Sequence, residues 1–228
     1  MEGHIDTSSP EFQNALTLIR FTQHSLFLTG KAGTGKSTFL RYVCSHVKKK
    51  HVVLAPTGIA AINAHTNLDM APGGINEVLA QRLALVNIRV ADPSGTDAEG
   101  REWGLIRMGE VPEQPLEHFL NRVKTLLGCE GLRYVDGGKP VKNVAVGGGA
   151  CGDGWREALD AGCDTFVTSD IKYNQFWDAQ DLGMNLIDAG HFYTENPITA
   201  CLAEKIAAAF PDVEVKISES HRDCVKYY

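Results

Sequence analysis

The chain has 228 residues, 43% of them apolar, enough to bury one large core or two small ones. No run reaches the roughly 18 consecutive apolar residues that a membrane helix needs, which argues against a helical membrane protein. The net charge of −6 is unevenly placed. Residues 1–64 carry seven Lys/Arg against three Asp/Glu and residues 65–228 carry 15 against 25; so acidic a larger part argues against general nucleic-acid binding. Six cysteines (Cys44, Cys129, Cys151, Cys163, Cys201 and Cys224) are scattered without a C-x-x-C pair or a preceding apolar signal segment. That is the pattern of reduced thiols in a cytoplasmic protein.

Residues 1–12 show no periodicity and read as a flexible lead or tag. A helix is predicted over Gln13–Thr22. The apolar strand Ser25–Thr29 then runs into Gly30-Lys31-Ala32-Gly33-Thr34-Gly35-Lys36-Ser37-Thr38, with a helix, Phe39–Val47, behind it. This is the G-x-x-x-x-G-K-S phosphate loop between strand and helix. Its glycines turn backbone N–H groups toward an anion, Lys36 reaches the β/γ-phosphates and Ser37 can hold Mg²⁺. Gly30, Gly33, Thr34, Gly35, Lys36, Ser37 and Thr38 are therefore the candidate contacts for ATP with Mg²⁺. The run Lys48-Lys49-Lys50 reads as a solvated turn, and His51–Ala55 as a strand. With LTGKAGTGKSTFL and VVLAPTGIAAINA, this part resembles the start of the Pif/RecD class of superfamily 1 DNA helicases. After Ala64 no apolar strand ending in Asp-Glu and no arginine finger follows, so phosphate binding is expected here but ATP-driven unwinding is not.

From His65 the character changes. If the stretch Asn63–Asp69 is helical, His65 and Asp69 lie four residues apart on one face, where they could grip a cation together. An amphipathic helix is expected at Asn76–Leu85 and strands within 86–111 around a turn at Asp92–Gly100. A helix at Leu116–Leu127 precedes a strand at Val141–Val146. That strand ends in the glycine-rich turn Gly147–Gly154, which either cradles phosphate or permits close backbone packing; the absence of a phosphate-loop lysine favours packing. Beyond it come helix Trp155–Ala161, strand Thr165–Thr168, helix Asp170–Gly183 and strand Asn185–Ala189. Helix Ile198–Phe210 and strand Val213–Ser218 complete the chain. Alternating strands and helices predict an α/β fold with layered mixed sheets and flanking helices. His191 and Glu195 repeat the four-residue spacing of His65 and Asp69, and imidazole with carboxylate suits first-row divalent cations. His118 and His221 have no partner pattern and read as ordinary residues.

The segments HTNLDMAPGGINEVLA, VAVGGGACGD and TFVTSDIKYNQFWDAQDLGMNLIDAGHFYTE resemble, in consistent order, the C-terminal two thirds of the NGG-interacting-factor-3-like family. Its members are often named GTP cyclohydrolase 1 type 2. The resemblance implies an α/β fold, homo-oligomers (dimers or ring-shaped hexamers) and two neighbouring divalent metals, Zn, Mn, Fe or Ni. It further implies Asp69 as a bridging ligand with His65 beside it, and His191 and Glu195 binding from the other side. Asp170 and Lys172 would orient substrate or ligands. Asn174 stands where many relatives have a histidine, and the paired His-His that supplies two further ligands in the family is missing.

The expectation is a chimera of a lead (1–12), a helicase-like phosphate-loop segment (13–64) and a truncated dinuclear-metal α/β region (65–228). Its expected function is metal-assisted hydrolysis of a phosphoester or nucleotide at an incomplete metal site, with no catalytic residue assigned. The alternatives are an ATP-binding phosphate-loop module without complete ATPase machinery and an inactive scaffold. A small phosphorylated or nucleotide ligand is the expected partner, with neither nucleic acid nor membrane.

Overall fold

The chain divides into two compact units, Met1–Ala64 and His65–Tyr228. The computed structural model describes Gln13 and residues 64–228. The candidate ATP and Mg²⁺ contacts Gly30, Gly33, Thr34, Gly35, Lys36, Ser37 and Thr38 lie outside the described residues, as do Lys48–Lys50 and the strand His51–Ala55.

Six strands form one mixed sheet: β1 (Val86–Val90), β4 (Arg107–Gln114), β6 (Val141–Val146), β7 (Thr165–Thr168), β8 (Asn185–Asp188) and β5 (Arg133–Val135), in that spatial order. The short strands β2 (Gly95–Thr96) and β3 (Glu102–Trp103) pair separately as a hairpin. β6, β7 and β8 run parallel to one another, whereas β1, β4 and β5 join antiparallel. The parallel strands are largely buried on both faces, and each has an apolar centre (Val144–Val146, Phe166-Val167, Leu186-Ile187) rather than a strict alternation. Every residue of β7 and β8 is buried.

The helices are α1 (Thr66–Met70), α2 (Ile75–Arg82), α3 (Leu116–Leu127), α4 (Trp155–Asp160), α5 (Tyr173–Asp181), α6 (His191–Glu195) and α7 (Ile198–Ala209). Strand pleating sends Val144, Val146, Val167 and Ile187 into one core with Leu79 of α2 and Phe119 and Val123 of α3. Ala145, Phe166 and Leu186 enter a second core with Trp155 of α4 and Phe176 of α5. The sheet is thus sandwiched between two helical layers. A third, smaller cluster joins Ile75 and Val78 of α2 to Ile198 of α7, with Leu68 of α1 against it. Among the described residues no helix is long and apolar enough to cross a membrane.

Two expectations need correction. Val213–Ser218 alternates like a strand but forms none: it pairs with neither sheet edge, β1 or β5, and Val213 and Ile217 are left exposed. Alternation marks a candidate strand; without an edge to pair with, its backbone groups gain nothing from extension. Conversely, the three-residue edge strand β5, antiparallel to β8, is too short to carry a periodic signal.

The buried guanidinium of Arg107 fixes where α1 ends. Arg107 Nη1 donates to Gly104 O at 2.6 Å, and Nη2 donates to Met70 O and Ala71 O at 3.0 and 3.3 Å. Burial lowers its pKa, partly opposed by Glu77, whose carboxylate lies 4.0 Å away. Removing this side chain leaves three carbonyls without their charged donor. Arg107→Ala is therefore expected to lower unfolding free energy by about 2–3 kcal/mol, measured by urea titration; a change below about 0.5 kcal/mol, the range of an ordinary surface substitution, would contradict this role.

Candidate metal centre

Three loops leave the carboxyl ends of the parallel strands: Gly147–Cys151 after β6, Ser169–Lys172 after β7, and Ala189–Gly190 after β8. In open α/β sheets this edge is where ligands are bound. The loops converge on Gly149. Its N–H donates to Thr194 Oγ1 of α6 at 3.0 Å, and its carbonyl accepts from Ser169 Oγ. The preceding Gly148 N–H donates to Oδ1 of Asn76 at 2.6 Å, and Asn76, fully buried on α2, donates in turn to Leu105 O.

Crowding explains the glycines. A Cβ on Gly147 would lie 2.6 Å from Cys151 Sγ, and one on Gly148 2.9 Å from Ile75 Cγ2. On Gly149, where φ is +61°, a Cβ would be 3.3 Å from His191 Nε2 and in direct collision with Glu195 Oε1. The glycine-rich turn thus serves close packing, the reading favoured by its lack of lysine.

Gly190, with φ +84°, turns the chain out of β8 into α6, where one helical turn brings His191 and Glu195 together. His191 Nε2 lies 3.1 Å from Glu195 Oε1. On the other side of the ring, Nδ1 is 2.6 Å from Asp170 Oδ2. Asp170 occupies the left-handed region at φ +55°, uncommon for a residue with a side chain and concentrated at functional sites. Asp188, buried at the end of β8, accepts from Gly190 N at 3.1 Å and Ile171 N at 3.3 Å and is paired with Arg133. One carboxylate thereby holds both the loop that carries Asp170 and the turn that carries His191.

The His65–Asp69 pair is arranged differently from expectation. Helix α1 starts at Thr66, so His65 is its N-terminal flanking residue rather than a position on the same helical face as Asp69. Its Nδ1 shares a hydrogen bond with Thr66 Oγ1 at 2.8 Å, and the residue is exposed. Asp69 is half-buried on α1. Burial, then the charges of Glu157, Asp69 and Asp153, push the Cys151 thiol up to about 12. The His191–Glu195 pair borders the Gly147–Cys151 loop at Gly149. Among the described residues no three His, Cys, Asp or Glu side chains stand close enough to hold one metal ion. Lys172 reaches Asp153 at 3.7 Å, and Asn174 is exposed on α5. His221 packs its ring against Phe192, 5.1 Å between centroids.

Sequence reasoning did not single out Asn76, Ser169, Asp188 or Thr194. Asp188 was the most readable: a carboxylate ending an apolar strand is a known signature of ligand-bearing edges. Asn76 carried a weaker signal, a polar residue on the apolar stripe of α2.

Geometry of this kind defines an α/β protein that presents a histidine and a carboxylate at the carboxyl edge of a parallel sheet. The family Duf34/NIF3 (NGG1p interacting factor 3) matches residues 21–224, and the chain belongs to it. Similar proteins include the GTP cyclohydrolase 1 type 2 homolog of Clostridium perfringens, 31% identical over 178 residues that cover 77% of this chain and 67% of that one. The homolog of the same name from Lactococcus lactis is 32% identical over 179 residues, covering 77% and 65%. These matches span about two thirds of the relatives' length. Among solved structures, a Staphylococcus aureus hypothetical protein superposes with a TM-score of 0.68 at 26% identity, over 91% of this chain and 79% of that one. A Bacillus cereus protein related to NIF3 gives 0.67 at 22% identity, over 89% and 80%, and shares the fold. The family match begins at residue 21 and runs through the segment that resembles a helicase; the comparisons give no support to a helicase-derived piece or to a chimera.

Burial works against the imidazolium of His191, but the hydrogen bond to Asp170 and the charges of Glu195 and Asp170 outweigh it, so its pKa is raised. A raised histidine stabilises the fold most below its ordinary value of about 6.5, and that contribution is lost as pH rises through the elevated value. In metal-free protein the NMR titration of His191 is expected to have its midpoint above the ordinary value and to move down in Asp170→Asn. A midpoint unmoved by that substitution would show that Asp170 does not set the state of the ring.

Proposed function

We propose that this protein binds a divalent cation at the carboxyl edge of its sheet and uses it to hydrolyse a phosphoester or nucleotide. His191 and Glu195 are the central ligands in this reading, and Asp69 and His65 are contributors from α1 and its start. The observation that carries it is the orientation of His191: Asp170 engages Nδ1 and leaves Nε2 turned toward Glu195 over a glycine that leaves no room for a methyl group. A carboxylate behind a ligating imidazole fixes the tautomer and raises basicity, an arrangement typical of metal-binding histidines. One nitrogen and carboxylate oxygens suit Zn²⁺, Mn²⁺, Fe²⁺ or Ni²⁺. His191 and Glu195 would give such an ion one nitrogen and one carboxylate, with Asp69, His65 or water completing its shell.

A bound cation would supply a Lewis acid for a phosphoryl oxygen and acidify water. The residues supply the rest. Asp170 holds the His191 ring, Asp188 fixes the two loops, and the exposed ammonium of Lys172, 3.7 Å from Asp153, offers charge to an anionic substrate. The names of the Clostridium and Lactococcus relatives refer to GTP cyclohydrolase, which is compatible with a nucleotide substrate.

Purified protein is expected to carry about one or more Zn, Mn, Fe or Ni per chain, measured by elemental mass spectrometry, as a built site does. The double change Asp69→Ala with His191→Ala should empty it; full occupancy in that variant would defeat the assignment. Asp170→Asn keeps the shape but weakens support of the ring, and is expected to lower metal affinity roughly 10–100-fold.

A further inference from the structure

The loop that carries Asp170 leads into α5, and three aromatic side chains converge beside it. Tyr134 of β5 is 49% exposed, and Tyr173 and Trp177 of α5 are 77% and 54% exposed. With Phe176, Arg133 and Gln180 they line a cavity of about 260 Å³. The fold does not use these rings. Helix α5 turns Phe176 and Ala179 into the core, which leaves Tyr173 and Trp177, one turn apart, facing outward together. Clustered exposed apolar surface of this kind marks a binding site more often than a solvated face.

We propose that this cavity is a stacking slot for a planar heteroaromatic ring of the nucleobase kind. Flat π-faces on Tyr134, Tyr173 and Trp177 suit a flat ligand, and stacking a base on an aromatic side chain contributes enough to be measured by substitution. A volume of about 260 Å³ accommodates a single planar ring system. Arg133 supplies the polar element. Its guanidinium lies 5.5 Å from the centre of the Phe176 ring, and it donates through Nη2 to Ile171 O and Asp188. Arg133 lines the cavity with an exposed side chain and brings N–H donors to it, the groups with which arginine meets acceptor atoms on a purine edge. The acidic balance of residues 65–228 disfavours a longer polyanion and favours a single nucleoside unit.

The slot and the metal centre are joined by one short segment. Arg133 holds Ile171, Ile171 follows Asp170, and Asp170 holds His191. That the ring is part of the hydrolysed substrate rests on the metal-centre reading; that the slot binds a ring does not.

The test uses the full chain stripped of metal by chelation, with guanosine, adenosine and a single-stranded oligonucleotide as probes and saturation-transfer NMR as the readout. A nucleoside is expected to bind with a dissociation constant at or below about 1 mM. Tyr173→Ala and Trp177→Ala should each weaken it about tenfold, whereas Trp177→Phe should retain most of the affinity. The proposal is overturned if neither nucleoside binds, or if both alanine variants bind as the parent does. It also falls if only the oligonucleotide binds, or if sedimentation shows that the face joins two copies of the chain and both variants are monomers that bind no ring. Elemental analysis of the unstripped protein separates the two readings: a bound nucleoside without metal retires the metal centre alone, and metal without nucleoside binding retires the slot alone.

Discussion

The backbone of Gly147–Gly149 is the fixed point of this molecule. Asn76 grips Gly148 from the helical layer, Thr194 of α6 and Ser169 of the loop after β7 grip Gly149, and side chains crowd all three positions so closely that a Cβ at any of them would force neighbours to shift. A buried amide such as Asn76 is costly unless satisfied, and here both ends of its side chain are bonded. The turn therefore has little freedom, and whatever borders it is placed by it. His191 and Glu195 both do.

Charge is arranged around that fixed point in two tiers. Asp188, nearly enclosed, is tied by backbone N–H groups and Arg133, so it acts as a structural anchor for two loops at once. Asp170 and Glu195, about half and over one third exposed, flank His191 and face outward, where a cation can reach them. On the other side Arg107 holds the carbonyls at the end of α1, the helix that carries Asp69. The buried carboxylate of Asp188 thus positions the two loops from which the outward pair faces solvent.

Much of the fold was legible because its elements are long or doubly buried. The helix Leu116–Leu127 and the strands Val141–Val146 and Thr165–Thr168 were placed at their observed ends, since an amphipathic stripe and short β-rich segments with apolar centres bounded by turns leave little choice. Three-residue β5 was not legible, and the alternating tail at 213–218 misled, because pairing depends on a free edge that local sequence does not report. At the site, the His191–Glu195 spacing was readable as one helical turn. The His65–Asp69 spacing looked identical and was not, because His65 falls just outside α1. The Asp170–His191 contact joins residues 21 apart in sequence and follows only from the adjacency of β7 and β8.

The central claim is that His191 Nε2 and Glu195 share one cation at the edge of the glycine turn. Crystals of the full chain grown with Zn²⁺ or Mn²⁺ and measured at the metal's absorption edge test it most directly. The account predicts an anomalous peak within about 2.0–2.2 Å of His191 Nε2 and a Glu195 carboxylate oxygen. A well-ordered site with His191 still closed on Glu195 and no peak between the loops, or with the metal bound only elsewhere, would contradict it.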